Sequence, residues 1–267
     1  MDIILTHEQT DFDGIASLLG AYLLDGSRLP VLPRRMNRNV QAFLTLYGVE
    51  LPFVDPRDLA GDPVRSVTLV DTQSLISVKG MSDETRVQVV DHHVRRPDLP
   101  AAWEVTIRET GANTTIFVEA IQNRDLPITP IQATLLLLGI YEDTGSLTYT
   151  RTTPEDVFAA AYLLEQAASL SIVADYLNHP LSLEQQAIYE QLQDQNEALV
   201  IQGHSVVIAR ADARETDSEL STLAHKLRDL LDPDAIFLLF NTRAGIQLIA
   251  RSTDDHVDVS RVAAEFN

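Results

Sequence analysis

Three short apolar runs in the first third of the chain lead straight into acids and histidines. Ile3-Ile4-Leu5 precedes His7, Asp11 and Asp13; residues 66–70 run into Asp71; residues 87–90 run into Asp91, His92 and His93. Runs of this length, rich in β-branched residues, read as strands buried in a sheet. Helical patterns lie between and after them. Ile15, Leu18, Leu19, Tyr22 and Leu23 recur at helical spacing, with Asp13 as the expected cap and Gly26 as the stop. Residues 40–47 repeat the pattern up to Gly48, and residues 112–123 and 131–141 read as two more helices. Strands alternating with helices imply an α/β fold, a mostly parallel sheet with helices on both faces. Ligands of such sheets sit beyond the carboxyl ends of the strands. That rule brings His7, Asp11, Asp13, Asp71 and Asp91 to one rim.

Further along, Thr153-Pro154-Glu155-Asp156 has the form of a helix start, with acids suited to the helix dipole. Ser182-Leu183-Glu184-Gln185 is a capping box, opening a helix expected to reach about Leu199. After Gly203 the pattern restarts: strands at 206–209, 236–240 and 246–250, and a helix at 219–231. The expected organisation is a larger α/β domain at residues 1–181, a linker helix at 182–200 and a smaller α/β unit at 201–267.

The chain has no cysteine, so disulfides and thiolate metal sites are excluded. Its net charge of −19 argues against a long basic track for nucleic acid, though not against a short phosphate held locally. The longest apolar stretch, residues 133–141, falls well short of the roughly 18 residues a membrane span needs. An acid at position 2 is unlike a secretory leader. A cytoplasmic protein without a membrane partner is the expectation.

Four segments carry candidate chemistry: residues 7–13, 69–71, 90–93 and 141–145. Taken alone, each has an ordinary explanation as a turn, a helix cap or a packed histidine. Together they place hard and borderline donors after four apolar elements. Carboxylates gathered in one cleft repel one another unless cations neutralise them. Two divalent ions about 3.5–4 Å apart are a common solution, and they promote in-line attack on phosphorus. Mixed imidazole and carboxylate donors suit manganese better than magnesium, and zinc is more often four-coordinate.

The spaced His7-x3-Asp11-x-Asp13, the strand-ending Asp71, the run Asp91-His92-His93 and Asp143-Thr144-Gly145 together resemble the DHH phosphoesterase superfamily, whose name is that Asp-His-His run. The flanks Arg34-Arg35-Met36-Asn37-Arg38-Asn39-Val40, residues 139–145 and residues 151–156 resemble more narrowly the DHH module of large bacterial proteins. In those, the module precedes CBS domains and a tRNA nucleotidyltransferase-like (poly(A) polymerase-related) domain. The resemblance implies one metal held by His7, Asp11 and Asp71 and another held by Asp13, Asp71, His92 and Asp143. Asp71 would bridge the two. It makes His93 a phosphate contact and Asp91 the group that orients the histidines. A water shared by two cations would then attack phosphorus. Arg34, Arg35, Arg38 and Arg108 are candidate phosphate cations, and residues 111–115, Asn113 among them, could offer backbone amides at a helix start.

The second unit resembles the DHHA1 substrate-binding domain through Arg251-Ser252 and Val257-Asp258-Val259-Ser260. Relatives continue into a Gly-Gly-Gly-His loop that grips substrate. This chain stops at Asn267, before that loop and before any CBS or nucleotidyltransferase signature, and is read as a truncated piece. The implied activity is Mn²⁺-dependent hydrolysis of phosphodiesters or phosphomonoesters in short nucleotides or RNA ends, with Mg²⁺ as the second choice of metal. Two alternatives stand beside it: an inorganic pyrophosphatase, and a nucleotide- or RNA-binding regulatory module with little turnover. Homodimerisation is left open.

Overall fold

The computed structural model describes residues 1–267 apart from 60, 178–180, 217–219, 253–256, 258 and 266–267. The chain divides into two compact units, Met1–His179 and Pro180–Asn267.

The first unit holds a five-stranded sheet. Its strands are β1 (Asp2–Leu5), β2 (Leu29–Pro30), β3 (Ser66–Val70), β4 (Arg86–Asp91) and β5 (Glu104–Ile107), in the spatial order β2-β1-β3-β4-β5. Every pairing is parallel. Side chains alternate between the two faces. Ile4 and Val70 enter one core; Ile3, Leu5, Val67, Leu69, Val87 and Val89 enter another. Burial on both faces explains why these strands read as near-continuous apolar runs.

Among the described residues, six α-helices belong to this unit: α1 (Phe12–Leu24), α2 (Arg38–Tyr47), α3 (Asn113–Asn123), α4 (Pro130–Thr144), α5 (Pro154–Glu165) and α6 (Leu170–Leu177). All contribute to the core around Ile4 and Val70. The opposite face is covered instead by Val54, Leu59, Val64, Val78, Met81 and Trp103. The expected mostly parallel sheet flanked by helices is present, and among the described residues its α-helices lie on one face rather than both. The connections from β3 to β4 and from β4 to β5 contain Gly80, Pro97 and Pro100, and neither forms an α-helix. Helix packing on the first face is close. A Cβ on Gly20 would lie 2.5 Å from Phe117 Cβ, and one on Gly139 would lie 2.7 Å from Ala16 Cβ. α1 therefore nests against α3 and α4.

The register sets the site. Leu5 pairs with Leu69, Val70 with Val90, and Asp91 with Ile107. The chain thus leaves β1, β3 and β4 at one end of the sheet, and His7, Asp71 and His92 follow there.

The second unit opens with α7 (Leu183–Asp194), then β6 (Asn196–Ile201), β7 (His204–Asp212), α8 (Ser221–Leu231), β8 (Ala235–Thr242), β9 (Gly245–Ser252) and α9 (Val259–Ala264). Its sheet runs β6-β7-β8-β9, with a parallel β7–β8 pair between two antiparallel ones. Ile188 and Leu192 of α7 lie in the core of this unit, with Leu223 and Leu227 of α8. The capping box at Ser182 forms, but α7 ends at Asp194 rather than near Leu199. Leu199, Val200 and Ile201 join a hairpin instead, turning through Gln202 and Gly203, both at positive φ. Two such residues make the tight turn that antiparallel strands favour. Asp258 and Asn267, named in the sequence reading, lie outside the described residues. No helix among the described residues is long and apolar enough to cross a membrane.

Candidate metal centre

The loop from β1 to α1 and the first turn of α1 carry three of the candidate donors, His7, Asp11 and Asp13. Asp11 rather than Asp13 caps α1, accepting a hydrogen bond from Gly14 N at 3.1 Å. Between the two aspartates Phe12 is fully buried, its ring edge-on to Phe43 at 5.8 Å and to Tyr176 at 5.9 Å. This aromatic anchor sets the position from which Asp11 and Asp13 project. Asp13 is the second residue inside α1, past the capping position. Its carboxylate accepts instead from Asn113 N and Thr114 N, both at 2.8 Å, at the start of α3.

Asp71 follows β3 in the left-handed region, with φ of 55°. Aspartate tolerates that conformation better than most residues, at a cost of about 1 kcal/mol. Its backbone N–H remains bonded to Val90 O at 3.1 Å. The turn leaves the side chain between two histidines: Asp71 Oδ2 is 3.3 Å from His7 Nε2, and Asp71 Oδ1 is 3.6 Å from His92 Nε2. His7 Nε2 is also 3.7 Å from Asp11 Oδ1. His92 Nε2 is 3.8 Å from Asp13 Oδ2 and 3.5 Å from Asp143 Oδ2, the latter supplied by the last turn of α4.

The donors therefore form two clusters that meet at Asp71: His7, Asp11 and Asp71 on one side, Asp13, His92 and Asp143 on the other. A third grouping, Asp71, Asp91, His92 and His93, shares Asp71 with the first and His92 with the second. Asp71 Oδ1 and His92 Nε2 are buried without a hydrogen-bond partner among the described residues. Buried polar atoms are nearly always paired, and an unmatched couple this close to several carboxylates fits a cation. Donor atoms 3.5 to 3.8 Å apart around His92 Nε2 are too distant to hydrogen-bond well. They suit a shared ion at about 2.1 Å from each.

Electrostatics points the same way. Burial, with the charge of Asp13 next, pushes the Asp71 carboxyl well above the ordinary range. Burial and the neighbouring aspartates do the same to Asp143, and burial raises Asp13. Burial opposes charge on His7, but Asp11 and Asp71 overcome it and carry its pKa up to about 11. Without a cation the cluster must hold protons.

Supporting groups complete the centre. His92 Nδ1 donates to the backbone carbonyl Thr110 O at 3.0 Å, and Asp91 serves another ring. Asp91 Oδ1 accepts from His92 N at 2.8 Å and from His93 Nδ1 at 2.8 Å. The hydrogen bond to Asp91 raises the His93 pKa. Burial opposes charge on Asp91, but bonds from His93 and Gln73 bring its pKa down to about 2. Gln73 Nε2 donates to Asp91 Oδ2 at 2.8 Å, and Phe12 N donates to Glu142 Oε2 at 2.6 Å. Gln73, Glu142 and Thr110 were not singled out from the sequence. Thr110 contributes a carbonyl, which every residue has. Gln73 and Glu142 each lie within two residues of a flagged aspartate, and that proximity was their only signal.

The expected amide cradle at residues 111–115 is already engaged. Gly111 N and Ala112 N donate to Asp156, and Asn113 N and Thr114 N donate to Asp13. Asn113 itself is fully buried and donates to Ser17 Oγ, so it is not placed to meet a substrate. The helix start serves the protein's own carboxylates, which satisfy its donors first. Arg108 pairs with Glu119 at 2.6 Å. Arg34, Arg35 and Arg38 are exposed. Their segment lies against the His7–Asp11 loop, through Gln9 N to Arg35 O at 2.9 Å and Asn37 N to Thr10 O at 2.9 Å.

With this geometry the comparisons with known proteins agree. The family described as "DHH family, N-terminal domain" matches residues 3–140. An A-adding tRNA nucleotidyltransferase from Geobacter sulfurreducens is 34% identical over 274 residues, covering 100% of this chain and 31% of that protein. The chain thus spans about a third of that relative's length. A bifunctional oligoribonuclease and PAP phosphatase NrnA from Thermus thermophilus is 28% identical over 176 residues, covering 65% of this chain and 52% of that one. In fold, the chain is similar to an exopolyphosphatase-related protein from Bacteroides fragilis, with a TM-score of 0.77 at 17% identity over 99% of this chain and 82% of that one.

Proposed function

Because this chain belongs to the DHH family, we propose that it is a two-metal phosphoesterase that hydrolyses phosphodiester or phosphomonoester bonds of short nucleotides or RNA ends. The single observation that carries the reading is Asp71: a buried aspartate with one oxygen beside His7, the other beside His92, and Oδ1 unpaired. His7, Asp11 and Asp71 would hold one ion, and Asp13, Asp71, His92 and Asp143 the other. Mn²⁺ suits this mixture of nitrogen and oxygen donors, ahead of Mg²⁺. Ions bound there supply Lewis acidity, making water more acidic and neutralising charge on phosphoryl oxygens.

The chain's own groups do the rest. Asp91 keeps a proton on His93 Nδ1, and Gln73 holds Asp91 in place. His93, whose side chain is 57% exposed, is then a cationic donor open to an arriving phosphate. Thr110 O fixes the tautomer of His92 so that Nε2 is the free nitrogen. Arg35 and Arg38 stand beside the His7–Asp11 loop as cations for the rest of a nucleotide, whereas Arg108 is less suited, since Glu119 meets its charge.

Release of p-nitrophenol from bis(p-nitrophenyl) phosphate, and of mononucleotide from a short RNA, tests the proposal. Both should require Mn²⁺ and fall on the order of a hundredfold or more in Asp71→Asn. Equal rates for the two proteins would remove the enzyme reading. A second reading is favoured by the coverage of only 31% of a nucleotidyltransferase: a nucleotide- or RNA-binding module of a longer protein. Binding of RNA without release would select it.

A further inference from the structure

Asp156 stands 13 residues beyond Asp143 in sequence and in none of the donor clusters. It is fully buried, at the start of α5. One oxygen, Oδ2, accepts from Gly111 N at 2.8 Å, Thr153 N at 2.7 Å and Thr153 Oγ1 at 2.8 Å. The other, Oδ1, accepts from Thr115 Oγ1 at 2.5 Å and Ala112 N at 3.3 Å. Capping α5 uses only the Thr153 bonds. The remaining three grip residues 111–115, more than 40 positions away in sequence.

That segment is where two of the donor side chains obtain their orientation. Thr110 O receives His92 Nδ1, and Asn113 N and Thr114 N bind both oxygens of Asp13. His92 and Asp13 sit in the same cluster, with Asp143. His7 and Asp11 have no hydrogen bond to residues 110–115 among the described residues. We propose that Asp156 is a positioning residue for one of the two metal sites only, acting through residues 110–115 on His92 and Asp13. Gly111 is part of the device: a Cβ there would lie 2.5 Å from Asp156 Oδ2, so the close approach requires glycine. The inference rests on the two-metal reading above.

The test is Mn²⁺ titration of the whole chain, followed by electron paramagnetic resonance of the free ion, with circular dichroism and thermal melts on the same samples. Asp156→Asn keeps the shape, but either orientation of the amide turns an NH2 group against backbone N–H donors. The variant should take up one ion as wild type does and the second about 10- to 100-fold more weakly. Thr115→Val leaves the α5 cap intact and should weaken the same ion about tenfold, which keeps the proposal open to test if Asp156→Asn does not fold. Thr153→Ala loosens the cap alone; it should lower Tm and leave both constants unchanged. Two ions bound normally by Asp156→Asn or by Thr115→Val would overturn the proposal. So would both constants falling together with Tm, or Thr153→Ala matching Asp156→Asn. A wild-type chain that takes up fewer than two ions defeats the two-metal reading itself, a result separate from any variant.

Discussion

At the scale of single residues, the centre is built by displacing groups from their ordinary duties. Asp13 has the position of a helix-start acid, yet it is taken by the amides of α3, while Asp11 does the capping. Gly14 shows how little slack remains. A Cβ there would lie 2.2 Å from Thr10 Oγ1, 2.8 Å from Thr6 Oγ1 and 3.1 Å from His7 Nε2. Gly14→Ala should therefore destabilise the chain by about 1–3 kcal/mol in urea denaturation and weaken Mn²⁺ binding, because the turn holding His7 must move. Adding Thr10→Ala, which removes the nearest contact, should recover part of both losses. Recovery of neither would mean that the crowding at Thr10 is not the cause. The histidines and aspartates themselves were legible in the sequence. The atoms that aim them, Thr110 O and the Gln73 amide, were not, because a backbone carbonyl carries no residue signature and a lone glutamine has many uses.

At the scale of elements, strand and helix patterns predicted most of the chain and failed at identifiable places. β3 and α2 stop where their apolar runs stop. β5 was missed, since an edge strand with alternating exposure shows no continuous apolar run. α7 was read as too long: a polar helix has little to mark its end, and the strand β6 begins two residues after it. The β6–β7 turn decides that boundary. Gln202 has φ of 53° and Gly203 of 93°, and nothing lies within 4 Å of a Cβ placed on Gly203. The requirement at Gly203 is conformational rather than steric crowding. Gly203→Ala should cost about 1–2 kcal/mol of stability in the second unit, by chemical denaturation, with Mn²⁺ binding unchanged. An unchanged midpoint would show that the hairpin does not depend on this turn.

At the scale of the whole molecule, the carboxylate cluster links stability to metal. Asp13, Asp71 and Asp143 have pKa values raised above the ordinary 3.8, and His7 is raised from 6.5 to about 11. In each case the folded chain keeps a proton that the unfolded chain gives up. Stability of the metal-free protein should therefore fall as pH rises, from above 3.8 for the three aspartates and from 6.5 to about 11 for His7. Asp91 and Asp11 are lowered and act the other way, but only below the ordinary carboxylate range. Thermal melts with chelator should show Tm dropping over that interval. Saturating Mn²⁺ should reverse the slope, since binding requires the same groups deprotonated. A flat profile with chelator would mean the cluster is neutralised by something other than protons. The sequence by itself determined a mostly parallel sheet, three of its strands and the donor types at their ends, because these follow from local apolar patterning and from which residues come next. Only the tertiary structure decided which donors share a cluster, that the six described α-helices of the first unit feed one core, and that the amides at the start of α3 serve Asp13 and Asp156. Those outcomes depend on contacts between residues from about 40 to about 100 positions apart, which no local pattern encodes.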